Sequence, residues 1–205
     1  MREVAPTRSS ALELADEQRL MRQGYEFLDE KRTLLAAEML RQLTHHQRLA
    51  ETLARETTNA SRALAAAIER HGLDNLQVYP PPSAPPTQGH GARSLFLGVV
   101  QATVPVPAEA GEPPPAYDAS PEAESCRVAF ARLLPIAGKI GALTGNLRRL
   151  AREYARTDRR AKALENVLLP EVQDALKQVE EQLDTLEREE AVHARLSRGG
   201  KIDSQ

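Results

Sequence analysis

Aromatic residues make up only 3% of this 205-residue chain and tryptophan is absent, which removes the broad side chains that usually fill a layered, spherical core. Ala, Leu, Glu and Arg dominate instead, a composition suited to a long helical coil. One cysteine, Cys126, excludes an internal disulfide and a cysteine zinc cluster. Neither sign of charge prevails. The 27 basic and 29 acidic side chains leave a net charge of −2, so no global field draws the chain to nucleic acid or to an anionic membrane. No signal-peptide pattern is read, nor any apolar run of about twenty residues, so a cytosolic chain without direct membrane insertion is expected.

Catalytic patterns are also missing. The Gly-Lys pairs at Gly138–Lys139 and Gly200–Lys201 lack the upstream glycine and the following Ser or Thr of a phosphate-cradling loop. His45 and His46 are adjacent, so on a helix they diverge by about 100°, whereas shared metal ligation needs positions three or four apart. A surface role is expected for both. His71, His90 and His193 are isolated in sequence, with no Ser, Cys or Thr and acid at a recognisable triad spacing. The chain therefore reads as a non-enzyme with no catalytic residue, no cofactor and no metal site.

What remains is periodicity. Pro6 cannot continue a helix backwards, so a first helix is predicted to begin at Thr7 or Ser10, with Ser10 and Glu13 as a capping box, and to run to about His71. Leu14, Met21, Leu28 and Leu35 recur every seven residues along it, flanked by Leu20, Phe27 and Leu34, so the stripe is wider than a two-helix seam requires. Gly24 interrupts this helix at a cost of about 1 kcal/mol relative to Ala. Gly72 then suits its C-terminal cap.

The second long helix is more regular. Ile140, Leu143, Leu147, Leu150, Tyr154, Thr157, Ala161, Leu164 and Leu168 follow alternating steps of three and four, a coiled-coil seam. A second run follows at Val172, Leu176, Val179, Leu183 and Leu186. Its phase is shifted by one residue, so one extra residue is taken up around Leu168 to Val172, where Pro170 also disturbs the backbone ladder. A local straightening or kink is expected there.

Between the helices the material changes. Pro80, Pro81, Pro82, Pro85, Pro86 and Pro113 to Pro115 break any helix, while Leu95, Phe96, Leu97, Val99, Val100, Val104 and Val106 carry a β-type composition. One short hairpin is predicted, and because an isolated hairpin is marginal in water it must lean on the helices or on a partner. The fold class is mainly α: an antiparallel two-helix coiled coil with a proline-rich insert and a short β-hairpin. Residues 1–72 form the first helical segment, 73–121 the insert, and 122–205 the second helix and a short tail.

Local charge carries more than the total. Arg148, Arg149, Arg152, Arg156, Arg159, Arg160 and Lys162 outnumber Glu153 and Asp158, and Arg148, Arg152, Arg156 and Arg159 share one helical face. This is either a solvated face partly paired with Glu51 and Glu56, or a docking stripe for an acidic partner, or a nucleic-acid contact. Aromatic interleaving that would favour single-strand binding is absent. From Glu165 to Glu190 the balance turns acidic.

The segments APTRSSALEL, GYEFLDEKRTLL and TDRRAKALENVLLP, together with the acidic LEREE stretch, resemble the D subunit of V-type and archaeal-type rotary ATPases, the central-stalk shaft. The similar regions cover roughly half the chain and sit at matching ends. Lys31 and Arg32 match the family's Lys-Arg pair, and Thr157, Arg159, Arg160, Ala163, Leu164, Glu165 and Pro170 match its second signature. Departures are Lys162, where the family commonly has Asn, and the AVHARLSRGGK finish, which replaces an aromatic, lysine-rich end.

The resemblance implies a rotor shaft that carries torque between a membrane ion-translocating ring and a head that hydrolyses or makes ATP. Its implied partners are the catalytic and regulatory head subunits, the small central-stalk F subunit and the socket subunit on the membrane ring, with the complex peripheral on the cytoplasmic face. It also implies that Pro6, Thr7 and Arg8, with Leu186 to Arg195, lie near an apical bearing. Partner contact is thus expected at Pro6, Thr7, Arg8, Lys31, Arg32, Arg148, Arg152, Arg156, Arg159 and Arg160. The alternative is a coiled-coil adaptor or stalk of another ATPase-driven machine, such as a secretion or flagellar export apparatus, which would share the seam but not the ATPase head.

Overall fold

A computed structural model of the chain describes residues 5–76, 92–103 and 116–199, with side chains to 195. The elements are α1 (Arg8–His71), β1 (Ala92–Phe96), β2 (Val99–Thr103), α2 (Pro121–Ala163), a π-helical segment (Leu164–Leu168) and α3 (Leu169–Gly199). Pro80 to Pro86, His90, Val104, Val106, Pro113 to Pro115 and Lys201 lie outside the described residues.

Each helix end follows from local chemistry. Thr7 caps α1: its Oγ1 accepts the Ser10 N–H at 3.1 Å while Ser10 Oγ accepts the Thr7 N–H at 3.1 Å. The reciprocal box is therefore Thr7 with Ser10, not Ser10 with Glu13, because a hydroxyl three residues on closes the ring as well as a carboxylate does. At the other end Gly72 adopts φ 75° and donates its N–H to Ile68 O at 2.7 Å, the glycine cap expected from the sequence. Ser120 caps α2 by accepting the Ala123 N–H at 3.1 Å, with Pro121 in the first helical position, where no partner for its missing N–H is needed.

The phase shift of the second helix has a definite form. Leu169 donates its N–H to Leu164 O, five residues back, so the extra residue widens one turn into π-helix just before Pro170. Pro170 cannot donate to Asn166 O four residues earlier, and the wider register removes the need for that bond.

Contacts divide the chain into two compact units that cut across the long helices: Met1–Thr33 with Ala155–Gln205, here the end unit, and Leu34–Tyr154, the hairpin unit. In the end unit Leu14, Val172 and Val179 form the buried centre, with Ala11, Met21, Ala175, Leu176 and Leu183 packed around it. Arg8 pairs with Glu187 and Arg32 with Asp158, so rising numbers on α1 meet falling numbers on the return helix. The pairing is antiparallel.

The hairpin unit has its own centre, Leu35, Val99 and Leu150, flanked by Met39, Phe96 and Tyr154. One residue comes from each helix and one from the hairpin, so the strands lean on both helices. β1 and β2 pair antiparallel with Leu95 opposite Val100 and Phe96 opposite Val99. The turn is the two-residue Leu97-Gly98, both with positive φ, 48° and 85°, the arrangement that matches strand twist in a tight hairpin. Further along, Ala60, Ala67 and Ala123 are buried.

One further expectation is corrected. Leu168 and Leu186, assigned to the seam, are 38% and 44% exposed. The π-helical turn rotates Leu168 off the line of its neighbours, and Leu186 lies beyond the buried cluster that ends near Leu183. The helical stretch Pro121–Arg195 also holds an 18-residue window of mean hydropathy 1.3, long and apolar enough by composition to cross a membrane, although none of that window is buried.

Candidate interaction surfaces

The matched motifs meet one another inside the end unit. Gly24 faces Leu164, whose methyl would lie 3.8 Å from an added β-carbon, so a small residue here keeps the helices close. Glu165 raises the Tyr25 hydroxyl above its ordinary range, chiefly by its charge. Arg32 donates to Asp29 at 2.5 Å and to Asp158 at 3.0 Å. Lys162 reaches Asp158 at 2.8 Å. Hydrogen bonds from Lys162 and then Arg32 hold the Asp158 carboxyl below the usual carboxylate range. Arg32 is thus engaged within the chain, and Lys31 beside it is half-buried.

At the chain end Arg8 donates to Glu187 at 2.7 Å, and that hydrogen bond, with the carboxylate's charge, raises its basicity. Thr7 is spent on the cap described above. Pro6 is half-buried and lines a shallow groove of about 400 Å³ with Gln178, Glu181 and Leu186 among others.

The arginines divide between the units. Arg148 and Arg152 are exposed in the hairpin unit, and Arg156, Arg159 and Arg160 are exposed in the end unit. Within the hairpin unit, neither Arg148 nor Arg152 makes an ion pair with Glu51 or Glu56 among the described residues. Arg149 differs. It lies over Gly145 and donates to Asn146 Oδ1 at 2.6 Å.

Sequence reasoning missed the amide that seats the hairpin. Asn146, 5% exposed, accepts the Ala102 N–H at 2.8 Å and donates to Ala102 O at 3.0 Å, using both faces of one amide to cover the free edge of β2. Gln42, 3% exposed, donates from Nε2 to Gln101 Oε1 at 3.1 Å and to Glu38 Oε1 at 2.6 Å. Arg41 grips the same Glu38 through two nitrogens and is the main cause of a carboxyl held below the usual carboxylate range. No spacing signal joins residues 44 or 59 positions apart, so only the fold reveals these contacts.

The histidines are likewise repositioned. His46 is half-buried with Nε2 at 3.2 Å from Thr144 Oγ1, whereas His45 is exposed, so the surface role holds for one of the pair. His71, read as isolated, sits between Ser120 Oγ at 2.6 Å and Asp118 Oδ2 at 3.4 Å, its side chain 6% exposed. Ser120 Oγ is already the acceptor for the Ala123 N–H, so the trio ties the last residue of α1 to the start of α2.

Residues 10–199 match the family model that describes the D subunit of ATP synthase. The chain belongs to the ATP synthase D subunit family. Within that family it is 29% identical over 191 residues to the V-type ATP synthase D subunit of Thermotoga neapolitana, covering 91% of this chain and 93% of that relative. It is 27% identical over 195 residues to the A-type ATP synthase D subunit of Methanopyrus kandleri, covering 94% and 84% respectively. With the A-type ATP synthase D subunit of Pyrococcus horikoshii the identity is 26% over 190 residues, covering 91% and 89%. Membership places the chain in a V-type or A-type rotary ATPase, where it works with other subunits of that complex. It also displaces the export-apparatus alternative.

Proposed function

We propose that this member of the D subunit family is the non-catalytic central rotor shaft of its ATPase, carrying torque between the membrane ring and the head. The supporting observation is the antiparallel clasp of the two chain ends around Leu14, Val172 and Val179. A shaft transmits twist only if its strands do not slide or unwind, and an interlocking aliphatic seam resists both. Its surface charge also has to be uneven, and here it changes along the length. Exposed Arg156, Arg159 and Arg160 on α2 and the acidic run of α3 to Glu190 supply that unevenness.

On this reading the head subunits bind different faces of the turning shaft with different affinity, and those differences bias each nucleotide site in turn. No residue of this chain touches the reacting phosphate. The F subunit, the socket subunit and the head subunits are its partners, and the complex is peripheral on the cytoplasmic face. Pro6, Thr7, Arg8, Lys31 and the exposed arginines from Arg148 to Arg160 are the contact residues on this reading.

The test is the double variant Leu176→Asp and Leu183→Asp. Both leucines pack on the buried cluster, so two buried carboxylates would force the helices apart. Assembled complexes carrying them should hydrolyse ATP without matching ion transport. Normal coupling in a complex shown to contain the variant chain would remove the basis of the shaft reading.

A further inference from the structure

The end unit holds a groove of about 550 Å³ between α1 and α3 that the seam does not fill. Its floor is apolar, with Leu14 and Met21 from α1 and Val172 and Ala175 from α3. Leu168, turned off the seam by the π-helical turn, stands at its side. The rim is acidic: Glu171, Asp174 and Glu181, with Glu17 beside them, outnumber the one cation of the lining, Lys177. Lys177 lies 3.9 Å from Glu181, beyond hydrogen-bond reach, and among the described residues Glu171 and Asp174 form no ion pair.

The shallower groove beside Pro6 shares Gln178 and Glu181 with this one, and adds Glu189, so the two make a continuous acidic track. Such a rim repels nucleotides and other phosphates. A track with an apolar floor suits a peptide that offers an aliphatic anchor with cations on either side, since the anchor gains burial and the cations meet carboxylates already in place.

We propose that this track seats a basic peptide segment of a partner subunit, with a Leu- or Met-sized side chain between Met21 and Val172 and Arg or Lys side chains over Glu171, Asp174 and Glu181. The proposal rests on the shaft reading, for which it names one bearing surface. The matching segment lies in the head subunits that surround the shaft on that reading.

The experiment uses the whole ATPase complex. Gln178 is exposed and lines both grooves, so a Gln178→Cys variant in a Cys126→Ser background is labelled with a benzophenone maleimide, irradiated, and mapped by mass spectrometry. The expected cross-link falls on a head-subunit segment with Arg or Lys within a few residues of an aliphatic side chain. Adding Glu171→Lys and Asp174→Lys should cut its yield at least fivefold, and Glu171→Gln with Asp174→Asn by less.

A cross-link to an acidic or uncharged segment, or to a second copy of this chain, overturns the proposal. So does the absence of any cross-link in a complex that retains its head subunits, an outcome that leaves the shaft reading standing. A chain that does not copurify with ATPase head subunits at all sinks both.

Discussion

The end unit and the hairpin unit hold α1 against the returning helix by different means. The end unit relies on an aliphatic cluster, Leu14 with Val172 and Val179, and keeps its charges at the margins. The hairpin unit adds a third element and buries polar groups, with Gln42 and Asn146 both hydrogen-bonded to the hairpin. Aliphatic contacts are nondirectional and tolerate small slides, whereas a buried amide with fixed partners is satisfied in one register only. The difference teaches that alignment is set most sharply beside the hairpin, while the end unit carries adhesion.

The strongest way to break this comparison is Leu150→Ala. Leu150 is fully buried where both helices and the hairpin meet, so removing it should cost about 2–5 kcal/mol, read by urea unfolding. Hydrogen exchange should accelerate first across β1 and β2. If amides around Val172 and Val179 lose protection to the same degree, the two units are not separate in stability.

Asn146→Ala tests the directional contact itself. It leaves the Ala102 N–H and carbonyl without their partner, at a cost of about 1–3 kcal/mol. The Ala102 amide should exchange at least tenfold faster while α3 is unchanged. An unaltered Ala102 rate would show that the hairpin is seated by its apolar face alone.

A gain should come from the turn. Leu97 holds φ 48° without glycine's freedom, and the left-handed region costs an ordinary residue about 1–2 kcal/mol. Leu97→Gly should therefore raise the unfolding midpoint of the isolated chain slightly, and a lowered midpoint would mean that the exposed leucine is held by packing.

The smallest effect is expected at Asp158. Its folded carboxyl is held below the ordinary range by Lys162 and Arg32, so the folded state releases this proton more readily than the unfolded chain does. The stabilisation is present above the ordinary carboxylate range and is lost as pH falls through the lower folded value. The difference in melting temperature between the native chain and Asp158→Asn should shrink on acidification from pH about 7 to about 3. A gap that stays constant would mean the carboxylate's charge does not matter.

Much of the architecture was legible because it is periodic. Seven-residue recurrence announced both long helices, a run of β-type residues announced the hairpin, and Gly72 announced a helix end. The phase break was visible too, although its form was not: the sequence counts one extra residue, and whether backbone or side chains absorb it depends on hydrogen-bond geometry. Local competition misplaced the α1 cap, since Thr7, Ser10 and Glu13 all offer an oxygen at a suitable distance along the chain.

The candidate site was less readable for a different reason. Arg32 reads as a surface cation, yet Asp158 lies 126 residues away in sequence and 3.0 Å away in space. The same holds for His71 with Ser120 and for Asn146 with Ala102. Contacts of this kind carry no period, so residues that look available for a partner can be committed within the chain.

The widened turn at Leu164–Leu168 changes how the protein can vary in length. Removing one residue from those five would let the backbone relax to ordinary α-helix with the flanking side chains still aimed as before. The same loss between Leu169 and Gln178 would swing everything downstream by about 100° and turn Val179 towards water. That short stretch is where a single-codon deletion can be absorbed without re-aiming the rest of the helix.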